Sequence, residues 1–271
     1  RSSDLYCTRT HDSLKISNGK WIWWSRGIGG RSALDYLIKV KGYSFLEAVE
    51  TIIGHTAIQA PVYEKPQSKE ENKPLLLPEK CASNRVITEY LFGRGIDFEI
   101  INYCISNDLI FESLPYHNVV FVGYDEKKEP KYAAYRSTNK RRIMGDCSGS
   151  KKDYSFRLGK ENLEEVHLFE CAIDLLSYAT LAKLNGQDWK EMSFVSLSGV
   201  YSPAKKIEDS KVPIALEKYL GSNPSVRKIR IHFDNDIAGR KAAQTLKTIL
   251  PDKYEIVDEP PKAGKDFNDF L

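Results

Sequence analysis

The sequence predicts an α/β protein with a mainly parallel sheet flanked by helices, preceded by an α+β subdomain and a small N-terminal α+β module. Three observations carry this. From position 165 onward, β-patterned and helix-patterned runs alternate at the spacing of βαβ units, which implies parallel pairing. Between 118 and 136, two β-patterned runs flank a polar turn, as in a hairpin. Between 56 and 80, Pro61, Pro66, Pro74 and Pro78 alternate with Glu, Lys, Gln and Ser, a composition that resists packing and reads as a linker. The predicted organisation is therefore a module at 1–56, a linker at 57–80, a basic α+β subdomain at 81–160 and the α/β domain at 161–271.

The N-terminal module has a polar start, a β-like run over 20–24, a glycine turn at 27–30, and helical spacing through Leu34, Leu37, Ile38, Phe45, Ala48, Val49 and Ile52. After the linker, 83–106 is helical in pattern but interrupted at Gly93-Arg94-Gly95, and the hairpin strands fall at 118–124 and 131–136. The last domain reads as strand 166–169, helix 172–185, strand 193–197, helix near 213–220, strand 228–233, helix 238–250 and strand 254–257.

At 271 residues, 41% hydrophobic and 28% charged, the chain can bury a sizeable core. Its net charge of +3 neither demands nor excludes a nucleic-acid partner. Five scattered cysteines with no CxxC pair argue against a disulfide framework and point to a reducing, cytoplasmic (bacterial) setting. No apolar run approaches the roughly 20 residues needed to span a bilayer, and no membrane partner is expected. The chain opens on Arg1 rather than Met, which leaves room for residues upstream.

The chemistry is concentrated in acids at strand ends. Asp234 and Asp236 follow a β-patterned run; Glu170 follows another, with Asp174 four residues on and on the same helical face. Asp266 and Asp269 lie near the end of the chain beside Lys265. Hard carboxylate oxygens gathered this way suit Mg²⁺ or Mn²⁺, and such a cluster is normally neutralised by a cation. An isolated Asp-x-Asp is more often a helix cap or turn; the ordered set of strand-Glu-x3-Asp, Leu197-Ser198-Gly199 and strand-Asp-x-Asp-x2-Gly is what raises its significance.

That order resembles the TOPRIM domain of bacterial primases, type IA and type II topoisomerases and several nucleases, with Glu170, Gly199, Asp234, Asp236 and Gly239 at its signature positions. Within that family the chain looks most like the DnaG-type primases, and like the primase-like proteins of conjugative and mobile elements. Asp234 to Arg240, the terminal Lys265-Asp266-Phe267-Asn268-Asp269 and Tyr90-Leu91-Phe92-Gly93-Arg94-Gly95-Ile96 carry the likeness. The resemblance implies that Glu170, Asp234 and Asp236 are catalytic and bind Mg²⁺ or Mn²⁺, with Asp174, Asp266 and Asp269 as further metal-site acids. Asn268 stands where the family usually has a second aspartate, a departure at the second metal position.

The N-terminal module is similar to the zinc ribbon that precedes the primase core, but Trp23 and Arg26 replace the cysteine pair and Thr8 falls on another ligand position. Cys7 and His11 alone cannot close a four-ligand site, so no zinc is expected. Trp21, Trp23 and Trp24 are expected to stabilise the module instead, each able to bury on the order of 200 Å². Either all three are core, or at least one lies exposed beside Arg26 and Arg31 and stacks on an unpaired base.

Lys131, Arg136, Lys140, Arg141, Arg142, Lys151, Lys152 and Arg157 are dense ahead of the acids, with tyrosines interleaved. Such a run is either a solvated face or a groove for template and triphosphate phosphates. Its position favours the groove, with Arg136, Lys131, Arg141, Arg142, Lys151, Lys152, Arg240 and Lys265 as nucleotide- or DNA-binding residues. The expected function is metal-dependent synthesis of short primers on single-stranded DNA from nucleoside triphosphates. It would serve replication or transfer of a plasmid or conjugative element, with a helicase, relaxase or other replication or transfer protein as partner. The alternatives are a nuclease with the same acids, or a non-catalytic single-stranded-DNA-binding relative.

Overall fold

The computed structural model describes residues 6–8, 11–17, 19–55, 73–199, 201, 203–204 and 207–271. The chain divides into two compact units, Arg1–Glu71 and Asn72–Leu271.

In the first unit, β1 (Tyr6–Thr8), β2 (His11–Ser17), β3 (Lys20–Trp23) and β4 (Ile28–Gly30) form an antiparallel meander. Period-two alternation along β3 turns Trp21 and Trp23 onto Leu14, the small core of this sheet. Two helices follow, α1 (Ala33–Lys39) and α2 (Phe45–His55). Ser32 caps the first by accepting from the Asp35 amide, and Ser44 and Glu47 exchange side-chain bonds to each other's amides at the start of the second, a capping box. Of the two alternatives for the tryptophans, the structure has two in the core and one exposed. Trp24 leaves the strand for a 3-10 turn, where alternation no longer directs it inward, and is 67% exposed. Arg26 lies instead over the buried Trp23 ring, 4.0 Å from its centroid. The side chains of Cys7, Thr8 and His11 lie outside the described residues.

The second unit begins with α3 (Arg85–Phe92) and α4 (Phe98–Ser106), separated at the predicted glycine break, where Gly95 has φ +87°. An antiparallel sheet follows: β5 (Ile110–Glu112), β6 (Val119–Tyr124), β7 (Pro130–Arg136) and β8 (Met144–Asp146), with β6 and β7 as the expected hairpin. Next come β9 (Arg157–Gly159), β10 (Glu165–Phe169), α5 (Ala172–Leu184), β11 (Ser193–Ser196), α6 (Ile214–Ser222), β12 (Lys228–Ile231), α7 (Ile237–Ile249), β13 (Glu255–Asp258) and α8 (Phe267–Phe270). The sheet order is β13-β12-β10-β11-β9, parallel throughout except for the antiparallel edge strand β9.

The middle strands are buried on both faces, as parallel sheets require. Val166 and Leu168 of β10 turn to a core shared with α6 and α7, whereas Phe169 turns to one shared with α5. That second core continues without a break into Ile87, Leu91, Ile100, Ile101, Val119 and Phe121, so the helical pair and antiparallel sheet are packed into the α/β domain. Before α3, residues 73–80 run along the antiparallel sheet: the Leu76 amide donates to Ser148 O, and Lys80 bridges Ser113. No helix among the described residues is long and apolar enough to cross a membrane.

Candidate metal and nucleotide site

Parallel strands deliver their C-terminal ends to one edge of the sheet, and the acids sit there. Glu170 follows β10, Ser198-Gly199 follows β11, and Asp234 follows β12 by three residues. The connections are tied together: the Asp234 amide donates to Glu170 Oε1 at 3.2 Å, and the Gly199 amide to Glu170 O at 2.9 Å. Gly239 explains the spacing of the motif. A Cβ there would stand 2.2 Å from Asp234 O and 2.9 Å from Glu170 Oε1, so only glycine lets α7 start this close to both acids. Gly199, at φ +126°, occupies backbone space that L side chains rarely adopt.

Glu170 is 5% exposed, and burial, then the Asp234 carboxylate, pushes its carboxyl up to about 7. Asp174 lies beneath on the first turn of α5, is also pushed up to about 7 by burial, and accepts from the Cys171 thiol at 2.8 Å. Burial raises Asp234 as well. Asp236 differs: its Oδ1 accepts from the Gly239 amide at 2.9 Å, making it the N-cap of α7, and that bond holds its carboxyl below the usual range. Asp266 caps α8 and its charge reaches Asp234 and Asp174. Asp269 is exposed, its carboxylate accepting from the Lys265 amide at 3.4 Å.

Lys265 is the largest surprise. Its Nζ lies 3.2 Å from Asp234 Oδ2 and 3.2 Å from Asp236 Oδ2, which pushes the ammonium up to about 12. An ammonium held between two carboxylates marks the place where this cluster needs positive charge. Hard oxygen donors, the raised, desolvated carboxyls of Glu170 and Asp234, and this stand-in cation all fit a divalent ion held by Glu170, Asp234 and Asp236.

Arg240 departs from its expected role. Its guanidinium donates to Phe233 O at 2.8 Å and Asp234 O at 3.2 Å and pairs with Asp258 at 2.7 Å, so it is spent on fixing the backbone that presents Asp234. Lys131 likewise pairs across its own turn with Glu129 at 2.6 Å and Asp125 at 3.4 Å. Arg141, Arg142 and Lys151 are exposed. Asn268 serves as a donor, its Nδ2 reaching Arg94 O and Ser177 Oγ, each at 2.9 Å.

Arg136 and Lys152 do converge. Both line a cavity of about 300 Å³ between β7, β8 and the Ser198-Gly199 turn, with Cys171 and Ala172, the residues after Glu170, on its wall. Arg136 Nε donates to Tyr90 Oη at 3.1 Å; Lys152 pairs with Asp146 at 3.1 Å and donates to Ser198 O at 3.3 Å. Asp146 is a site residue that sequence patterning passes over, because nothing in its neighbourhood distinguishes it from a turn acid.

Residues 167–271 match the family model described as Toprim-like, and residues 89–162 match one described as a protein of unknown function, DUF3991. The uncharacterized protein pXO2-78 of Bacillus anthracis is 26% identical over 270 residues, covering 90% of this chain and 71% of that protein. Among solved structures, the primase fragment of the bacteriophage T7 primase-helicase aligns with a TM-score of 0.46 at 17% identity, over 95% of this chain and 88% of that one. The Aquifex aeolicus primase, with its zinc-binding and RNA polymerase domains, aligns with a TM-score of 0.42 at 16% identity, over 100% and 74%.

Proposed function

Residues 167–271 being a Toprim-like domain, we propose that this chain is a DNA-primase-like nucleotidyltransferase that synthesises short primers on single-stranded DNA. We place it in the replication or transfer of a plasmid or conjugative element, with a helicase, relaxase or similar protein as partner. One observation supports the reading: the cavity lined by Arg136 and Lys152 has Cys171 and Ala172, the residues that follow Glu170, on its wall, so phosphates held there would lie next to the strand end that carries the acids.

Glu170, Asp234 and Asp236 would hold Mg²⁺ or Mn²⁺, which when bound polarises the attacking hydroxyl and neutralises the triphosphate it meets. Arg136 and Lys152 bind the triphosphate, and the exposed Arg141, Arg142 and Lys151 hold the template backbone. Arg240 keeps the Asp234 carbonyl and its strand end fixed. Lys265, once displaced from the aspartates, would be free to pair with phosphate.

Labelled nucleotide incorporation on a single-stranded template tests this. Synthesis is expected with Mg²⁺ or Mn²⁺ and lost in Asp234→Asn, while single-strand binding is retained. Undiminished synthesis by that variant overturns the assignment, and metal-dependent cleavage without added nucleotides makes the protein a nuclease. A non-catalytic DNA-binding role has one observation in its favour: Lys265 already pairs with both Asp234 and Asp236. It predicts no incorporation and no divalent-metal binding at these acids.

A further inference from the structure

A second set of metal-binding side chains lies outside the acid cluster. Cys81, Glu112 and His117 each offer a ligand atom, and these atoms all lie within 4.8 Å of one another. The backbone holds all three in place. The Cys81 amide donates to Glu112 O at 2.8 Å and the Leu114 amide to Glu79 O at 2.8 Å, so 79–81 runs as a short antiparallel edge beside the end of β5. The Glu112 amide donates to Asn84 Oδ1 at 2.9 Å. His117 sits in the left-handed region at φ +52°, uncommon for a residue with a Cβ. Its amide is held by Ser113 O at 2.8 Å and its carbonyl by Thr138 Oγ1 at 3.0 Å. That conformation turns its ring onto Glu112, with Nδ1 2.6 Å from Oε1.

Glu112 is 2% exposed, and its other oxygen accepts from the Val86 and Ile87 amides at the start of α3, at 2.8 and 3.2 Å. This buried carboxyl group thus lies beside a free thiol and an imidazole, both of which reach solvent.

We propose that Cys81, Glu112 and His117 form a site for a zinc-class divalent cation, with water as the fourth ligand on the solvent side. Thiolate, imidazole and carboxylate together are a borderline-soft donor set, suited to Zn²⁺ and not to Mg²⁺, which separates this site from the acid cluster. Binding releases the thiol proton to solvent, and small rotations of Cys81 and His117 close the ligands around the ion. The bound ion clamps the segment before α3 to the end of β5 and to the loop carrying His117. No spacing motif announces the site, because its ligands come from three segments brought together only by the sheet edge.

The test uses the whole chain, stripped with chelator and titrated with Zn²⁺ and separately with Co²⁺. One tight equivalent is expected, with a thiolate-to-cobalt charge-transfer absorption and a rise in the thermal midpoint on adding Zn²⁺. Cys81→Ser loses the absorption and the rise, His117→Gln loses the rise, and Cys7→Ser, in the other unit, keeps both. Zn²⁺ should also protect Cys81 of the unmodified protein from alkylation, a readout that needs no variant to fold. No charge-transfer absorption, equal absorption in Cys81→Ser, or unprotected Cys81 overturns the proposal and leaves the His117–Glu112 contact as a plain hydrogen bond.

Discussion

Glu165 shows how single residues in this protein are tuned by their neighbours. It faces His167 Nε2 at 3.2 Å and Arg230 Nε at 2.8 Å, and these contacts, His167 foremost, hold its carboxyl down to about 2 despite partial burial. Arg230 also pairs with Glu259. Because the folded value lies below the ordinary 4.5, this carboxylate stabilises the fold above that pH, and the contribution fades as pH falls toward 2. Glu165→Gln should therefore be less stable than wild type at pH 7 and nearly equal to it near pH 2. Thermal midpoints of the two proteins across that range check this, and a constant difference refutes it. Next to it, His232 is kept neutral by burial and by His167; its Nδ1 donates to Glu259 O at 3.1 Å, which leaves Nε2 to accept from His167 Nδ1 at 2.8 Å. His232, one residue past the end of β12, is packed as its place in an apolar run suggests, but it is packed through polar contacts that no pattern reveals.

Among the elements, those that bury an apolar face were legible and the short edge pieces were not. β10, β11, β12, α5 and α7 fall within a few residues of their predicted bounds, because central parallel strands need continuous apolar runs and helices need periodic ones. By contrast β5, β8 and β9 are three residues each, too short to show a period, and exist because a neighbouring strand supplies hydrogen bonds. The same logic separates the tryptophans. Trp23 lies inside the alternating β3 strand and is 4% exposed, whereas Trp24, one residue on, is 67% exposed. Trp23→Ala should cost roughly 3–5 kcal/mol of stability in the first unit, as for other large core truncations. Trp24→Ala should stay within about 0.5 kcal/mol. Chemical denaturation followed by far-ultraviolet circular dichroism distinguishes them; equal losses would mean that Trp24 is not a surface residue in solution.

At the scale of the whole molecule, the end of the chain closes the site. Asn268 on α8 donates to the turn between α3 and α4 and to Ser177 on α5, joining three parts of the second unit. Sequence reasoning located the acids because Glu170, Asp234 and Asp236 follow predicted strands. It could not see that Arg240 and Lys131 are occupied, since ion pairs across a fold leave no trace in spacing. The departure at Asn268 was visible, but its purpose was not: a carboxylate cannot donate to Arg94 O. Asn268→Asp should therefore destabilise the protein by roughly 1–3 kcal/mol and not create a second metal position. Thermal unfolding with and without Mn²⁺ checks this; a variant that is stable and binds an additional ion would refute it.

The Lys265 ammonium between Asp234 and Asp236 is, in mass-action terms, a competitor that can never diffuse away. Its local concentration is fixed by the backbone, where Lys265 O accepts from the Asn235 amide at 2.7 Å. A divalent ion entering this site would have to displace that ammonium, so its midpoint would report a displacement and not the bare affinity of the acids. With Lys265 between them, Asp234 and Asp236 carry a compensating charge that the chain itself supplies, so part of the repulsion in the cluster is relieved from within the fold.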